Sequence, residues 1–187
     1  MMKPIKAFPI SQWADVKATE AFVAFQTLSG HGLIRPEAGR APTFVDRRAD
    51  DRAIGEALLT ALAGSRNIVP YTDPEFENPE NYARAYEETR EAIFRRTDKK
   101  TKREAYEDMG WCRVRRSEGK IRIRPAPPDG VGKWGALPED MNVVIPATDD
   151  PVVVGAALRL AIERCTPSHG GQKSDSERVP RDSERRS

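Results

Sequence analysis

Residues 50–62, DDRAIGEALLTAL, and residues 150–162, DPVVVGAALRLAI, match each other without a gap. They share Asp50/Asp150, Gly55/Gly155, Ala57/Ala157, Leu58/Leu158 and Ala61/Ala161, with Ile54/Val154 and Leu62/Ile162 as conservative matches. Each copy reads as a helix opened by an aspartate, whose carboxylate accepts from the free N–H groups of a first turn. In the second copy Pro151 follows at the first helical position, where a missing N–H costs nothing. Ile54, Leu58, Ala61 and Leu62 fall on one face, as do Val154, Leu158, Ala161 and Ile162, so both helices are core helices. Glycine inside a helix costs roughly 1 kcal/mol against alanine. Two glycines at matched places beside small alanines therefore predict close backbone approach, which we expect to be toward a neighbouring sheet.

The likeness extends upstream. AFVAFQTLSGHGLIRP (21–36) and GWCRVRRSEGKIRIRP (110–125) align on their shared Ile-Arg-Pro, placing Gly30 on Gly119, Phe25 on Val114 and Phe22 on Trp111. Each reads as two short strands around a glycine-containing turn. A further strand precedes each helix, Pro42–Asp46 in one half and Asn142–Ile145 in the other. One hairpin–strand–helix unit is too small to enclose a core, whereas two can share a sheet. The expected fold is α+β, a single domain with an internal pseudo-repeat around one β-sheet and an extra helical segment between the halves.

That middle segment changes character along its length. Pro70, Pro74 and Pro79 are spaced too closely for a helix, so 69–81 reads as loop. Tyr82, Tyr86, Ile93 and Phe94 then form a broken apolar stripe, predicting a helix over 82–96, and 102–109 reads as a short helical resumption. After Cys165 the sequence TPSHGGQKSDSERVPRDSERRS holds Val179 as its only aliphatic side chain. Such a segment buries too little to offset the entropy of ordering it. The expected division is a folded domain over 1–165 and a disordered polar tail over 166–187.

Little in the chain suggests reactive chemistry. Its two histidines are His169, in the tail, and His31, between Gly30 and Gly32, where a solvated turn residue is the simpler reading. GxSxG, HExxH, P-loop and GxGxxG patterns are absent. Cys112 and Cys165 form neither a CxxC pair nor a zinc spacing, and two buried reduced thiols are preferred over a bridge. No catalytic, cofactor-binding or metal-ligating residue is assigned, and no cofactor is expected. No apolar run suits a secretory signal or approaches the roughly 18–20 residues that span a bilayer. We therefore expect a cytoplasmic binding protein without a membrane partner.

With 31 basic and 29 acidic residues the net charge is +2, so an electrostatic partner must be met by local features. One is acidic: Asp73, Glu75, Glu77, Glu80, Glu87, Glu88 and Glu91, opposed in that span by Arg84 and Arg90. It reads either as a solvated helix face or as a surface suited to a cationic cleft. The other is basic. Arg113, Arg115, Arg122 and Arg124 alternate with apolar residues, which puts all four on one strand face, and Arg95, Arg96, Lys99, Lys100, Lys102 and Arg103 lie nearby in sequence. This is a solvated sheet face or a phosphate-binding one. No aromatic residue is evident among the arginines to stack on bases, which counts against nucleic acid.

The run KKTKREAYEDMGWCRVRRSEGKIRIRPAPPDGVGKW, followed by NVVIPATDDPVVVGAALRLAIERC, resembles the CdiI immunity proteins of bacterial contact-dependent growth inhibition, and FQTLSGHGLIRP is similar to the start of such domains. The likeness covers roughly residues 5–165. It implies a cytoplasmic antidote that binds a CdiA-type C-terminal toxin domain, commonly a tRNA- or DNA-cleaving nuclease, with no catalysis or cofactor of its own. The family lends no toxin-contact motif that transfers residue by residue, so the acidic run above remains the candidate contact region. The rival reading is an RNA- or DNA-binding module built on the arginine hairpin.

Overall fold

A computed structural model describes residues 10–69, 72–129 and 133–165; the tail over 166–187 lies outside them. The described chain forms β1 (Gln12–Ala18), β2 (Phe22–Ser29), β3 (Arg35–Pro36), β4 (Thr43–Asp46), α1 (Asp51–Ala63), α2 (Pro74–Glu77), α3 (Pro79–Phe94), α4 (Lys102–Glu107), β5 (Gly110–Ser117), β6 (Lys120–Ala126), β7 (Val143–Pro146) and α5 (Pro151–Glu163). The seven strands make one antiparallel sheet in the order β3-β2-β1-β5-β6-β7, with β4 also paired to β2. This is a mixed α+β domain.

Period-two alternation sorts the strand side chains onto two faces. Ala14, Val16 and Ala18 of β1, Val23 and Phe25 of β2, Cys112 and Val114 of β5, Ile121 and Ile123 of β6 and Val143 of β7 turn inward. Against them pack Ile54, Leu58, Ala61 and Leu62 from α1, and Val154, Leu158, Ala161 and Ile162 from α5. Both helices are capped as the sequence requires. Asp50 Oδ1 accepts from the Ala53 N–H at 2.8 Å and Asp150 Oδ1 from the Val152 N–H at 2.9 Å.

The glycines do approach a backbone closely, but it is not the sheet's. A Cβ built on Gly55 would lie 1.8 Å from the Pro151 carbonyl oxygen, and one on Gly155 would lie 1.8 Å from that of Asp51. The two helices thus sink into each other at their N-terminal turns. Arg159 of α5 clamps the contact, its Nε 2.7 Å from Asp51 Oδ1 and its Nη2 donating to the Ala49 carbonyl at 2.6 Å. The helical-glycine cost of about 1 kcal/mol per site is smaller than the roughly 1.5–3 kcal/mol that each fully buried aliphatic side chain contributes. Close approach wins.

Three further expectations need correction. The stretch 21–36 does fold back around its glycine turn, with Leu28 and Ser29 opposite Pro36 and Arg35, but this two-residue pairing does not match the long hairpin of 110–125. β2 pairs along its length with β1, from Trp13 opposite Leu28 to Ala18 opposite Val23, and only Leu28 and Ser29 meet β3. The first hairpin is β1–β2, so Phe22 and Phe25 have no counterpart at Trp111 and Val114 through that alignment. Second, the prolines at 74 and 79 do not exclude helix: each occupies the first helical turn, with Asp73 and Asn78 as N-caps. Third, the buried stripe of α3 is Ala85, Thr89 and Ile93, whereas Tyr82 and Tyr86 stand at the surface.

On the outer face, Ile93, Ala105, Tyr106 and Met109 cover Phe22 and Ala24 of β2, with Phe44 and Trp134 packed alongside. A buried polar bridge fixes α3 there: Thr89 Oγ1 donates to Gln26 Oε1 at 3.0 Å, and Gln26 Nε2 donates to the Arg40 carbonyl at 3.0 Å. α3 and α4 therefore roof the β2 side of the sheet. The outer face of β5 and β6 around Arg115, Arg122 and Arg124 carries no helix, whereas Asp15 and Lys17 of β1 and Trp111 of β5 line a cleft beneath the roof.

Gly155→Ala and Gly55→Ala should each destabilise the protein by about 2–3 kcal/mol, the upper range for overpacking, because the obstructing atoms are backbone. Urea unfolding checks this. A midpoint unchanged within error would mean that the helices can separate freely.

Candidate partner-binding surface

The acidic run sits on α2 and α3. In α3 the residues Glu80, Glu87 and Glu91 lie opposite the buried Ala85–Thr89–Ile93 stripe, as 3.6-residue periodicity demands, and Glu88 lies on its flank. Much of its charge is already neutralised within the molecule. Asp73 caps α2, accepting from the Phe76 N–H at 3.0 Å, and lies 3.1 Å from Arg66. Glu91 holds Arg95 at 3.0 Å and Lys102 at 3.0 Å, and Glu87 contacts Arg90 and Lys102. The Phe76 amide first, then Arg66, keep the Asp73 carboxyl below its ordinary value, and Lys102 does the same for Glu87 and Glu91. Glu77 is half-buried at the end of α2, as Phe76 beside it is. Glu75, Glu80 and Glu88 are exposed and make no ion pair to a described residue. These three are the part of the ridge most available to a partner.

The four hairpin arginines share the outer face, as their alternation predicts. The sheet register places Trp13, Arg115, Arg122 and Val144 side by side in one row. The next row holds Gln26, Asp15, Arg113 and Arg124, and a third holds Lys17, Trp111 and Ala126. Arg113 is held by Asp15, with Nε 2.9 Å and Nη2 3.2 Å from the two carboxylate oxygens. Arg115 donates to the Ser11 hydroxyl from Nε at 3.3 Å and Nη2 at 3.1 Å. Arg122 and Arg124 are exposed and make no ion pair to a described residue.

Aromatic residues do stand among these arginines, contrary to expectation. Trp111 is on β5 itself with Arg113 stacked over it at 4.9 Å, and Trp13 arrives from β1 beneath Arg115 at 5.1 Å. Trp134, whose Nε1 donates to the Met109 carbonyl at 2.8 Å, lies 5.5 Å from Trp111. The basic residues of 95–103 do not join this face as a block. Lys102 and Arg95 are occupied by Glu87 and Glu91, and Arg96 stacks over Phe44 at 4.8 Å. Beside the arginines, Lys17 projects into a cleft of about 550 Å³ under α3 and α4, and burial pushes its ammonium below the usual lysine value.

No residue set here suggests a reactive centre. Among the described residues no three His, Cys, Asp or Glu side chains gather as a metal site, and no helix is long and apolar enough to cross a membrane. Cys112 and Cys165 are free, buried thiols 3.6 Å apart. The contact with Cys165, then burial, pushes the Cys112 thiol up, and the same contact pulls the Cys165 thiol down. His31 lies in the turn between Gly30 and Gly32, both at positive φ.

Fold and surface together define a class: an α+β protein with a helix-backed sheet that exposes an acidic helical ridge and a basic sheet face. The chain belongs to the CdiI family, the CDI immunity proteins of contact-dependent growth inhibition, which it matches over residues 12–165. It is 26% identical over 169 residues to the immunity protein CdiI-YPIII of Yersinia pseudotuberculosis serotype O:3 (strain YPIII), an alignment covering 83% of this chain and 96% of that protein. A solved protein of unknown function from Neisseria meningitidis is 30% identical, with a TM-score of 0.75 over 83% of this chain and 96% of its own. A CdiA-CT/CdiI toxin and immunity complex from Y. pseudotuberculosis shares the fold at a TM-score of 0.75 and 24% identity, covering 85% of this chain and 100% of that one.

Arg122 faces Arg115 and Arg124 faces Arg113, and like charges directly opposite across strands are destabilising. Arg122→Glu and Arg124→Glu should each raise stability by about 0.5 kcal/mol through a new cross-strand pair. A lowered urea midpoint for both would show that the arginines serve the fold.

Proposed function

We propose that this chain neutralises the C-terminal toxin domain of its cognate CdiA effector by stoichiometric binding in the cytoplasm, without turnover of its own. The toxin in this reading is a nuclease acting on tRNA or DNA. The observation that carries the proposal is the family match across nearly the whole described domain. It is supported by a structural relative, solved as a toxin and immunity complex, that this chain follows over its full length.

The contact region in this reading includes the α2–α3 ridge, centred on Glu75, Glu80 and Glu88 and flanked by Asp73, Glu77, Glu87 and Glu91. Exposed carboxylates accelerate encounter with a cationic substrate cleft, such as a nuclease presents, and select the partner. Nanomolar affinity corresponds to about −12 kcal/mol. Charge alone does not supply that, so packed anchors within a standard interface of ~1,600 Å² must contribute most of it. The exposed Tyr82 and Tyr86, beside the ridge on α3, suit that role.

The pseudo-repeat belongs to this reading too. Apart from the two-residue β3, β1–β2–β4–α1 and β5–β6–β7–α5 run in the same element order, and the reciprocal Gly55 and Gly155 contacts support a two-fold relation between the halves.

The test uses the C-terminal toxin domain of the cognate CdiA effector. Calorimetric titration should give one immunity protein per toxin domain, with inhibition following occupancy. Glu75→Lys, Glu80→Lys and Glu88→Lys combined should slow association at least tenfold at low salt and flatten its salt dependence. Unchanged kinetics would remove the ridge from the interface, and no complex at all would refute the neutralisation reading.

A further inference from the structure

Arg113, Arg115, Arg122 and Arg124 form a two-by-two array on the floor of an open groove of about 460 Å³, walled on one side by Leu137, Glu139 and Asn142. We propose that this groove binds an extended acidic polypeptide segment, with carboxylates at every second residue, carried by the toxin partner. The proposal rests on the neutralisation reading for the identity of the partner, and on the groove alone for the chemistry of the segment.

Three observations carry it. First, the arginines oppose each other across strands in both rows, an arrangement that works against pairing. Asp15 neutralises Arg113, and among the described residues lining the groove Glu118 and Glu139 are the carboxylates left to offset Arg115, Arg122 and Arg124, while Lys120 adds to their charge. An anionic occupant relieves that repulsion. Second, two guanidiniums are already oriented. Arg113 lies over Trp111 and is gripped by Asp15; Arg115 lies over Trp13 and is tied to Ser11. A stacked guanidinium keeps its remaining N–H edge in one plane, the geometry that receives a carboxylate on two parallel bonds with little further loss of freedom. Arg122 and Arg124 stand beside them as exposed donors with no ion pair to a described residue.

Third, spacing and ring availability choose between anions. Residues two apart on a strand face repeat at about 6.6–6.8 Å, the same pitch at which alternate side chains of an extended peptide repeat. Single-stranded nucleic acid offers phosphates, but its binders also stack bases on aromatic faces. Here Trp13 and Trp111 each have a face covered by a guanidinium, and Trp134 is packed against Trp111 at 5.5 Å and Tyr106 at 6.5 Å. The rings act as supports for cations. Carboxylates are favoured over nucleotides.

Fluorescence anisotropy with the full chain tests this. The probes are a labelled ten-residue peptide alternating glutamate and serine, a peptide of the same composition with its glutamates in one block, and 12-nucleotide oligo(dT) and oligo(U). The proteins are wild type and the Arg122→Glu/Arg124→Glu double variant, whose folding is verified by its melting curve. The alternating peptide should bind wild type, weaken as salt rises, and lose at least tenfold affinity in the variant; the block peptide should bind several-fold more weakly. Oligonucleotides that bind as tightly as the alternating peptide and are lost in the same variant would overturn the proposal in favour of nucleic acid. Equal affinity for the two peptides, or no peptide binding at low salt, would overturn it outright. With the cognate toxin domain, the variant should bind at least tenfold more weakly than wild type. Equal toxin binding by the two proteins would overturn the assignment of the segment to the toxin. Failure of wild type to bind the toxin would instead refute the neutralisation reading, and the peptide arm would then decide the groove by itself.

Discussion

Carbonyl oxygens of Asp51 and Pro151 occupy the space where side chains of Gly155 and Gly55 would begin. That reciprocal contact sets the whole architecture. It brings α1 and α5 to backbone distance, so that their apolar stripes merge into one slab wide enough to cover β1, β2, β5, β6 and β7 together. The sheet then has no further use for helices on that side. Its other face must either find a cover of its own or carry side chains that are stable in water.

Both solutions are used, and the division determines where a partner can approach. Over β2 the outer side chains are Phe22, Ala24, Gln26 and Leu28, and α3 and α4 roof them with Ile93, Tyr106 and Met109. Over β5 and β6 the outer side chains are Trp111, against which Trp134 packs, and the four arginines, of which Arg115, Arg122 and Arg124 lie beyond the helical roof. The roof itself presents carboxylates outward from α3. The two charged features are thus consequences of one layered arrangement, with the acidic ridge on the helical roof and the basic groove on the bare sheet beside it. A small overall charge conceals this separation.

The sequence made the helices α1 and α5 legible because their signals are local: an aspartate cap, in α5 a proline at the first turn, and apolar residues at helical spacing. What the glycines approach was not legible, since both a sheet and a helix would demand the same missing Cβ. β1 escaped notice because its inward set is Ala14, Val16 and Ala18, small residues without a β-branched run, so the apparent hairpin was shifted onto 21–36 by the shared Ile-Arg-Pro. Pro74 and Pro79 looked like interruptions because their caps, Asp73 and Asn78, were not weighed with them. The arginine face was correctly read from alternation alone. Its tryptophan supports were not, because the meeting of Trp13 with Arg115 depends on the pairing of β1 with β5, far apart in the chain. The candidate acidic residues lie along α2 and α3, where Glu87–Arg90 and Glu91–Arg95 are i,i+3 and i,i+4 pairs that helical spacing offered, whereas the pairing with Arg66 and Lys102 depends on the tertiary fold.

The central claim is that the helix pair is a rigid backing and that partners are met on the opposite side of the sheet. Amide hydrogen exchange of the chain, free and saturated with the cognate toxin domain, tests it most directly. The account predicts added protection in α2, α3 and the segment preceding β7, with exchange in α1 and α5 unchanged apart from any uniform slowing that accompanies greater global stability. Protection concentrated on the exposed flank of α1 and α5, with the ridge and groove segments unaltered, would contradict it.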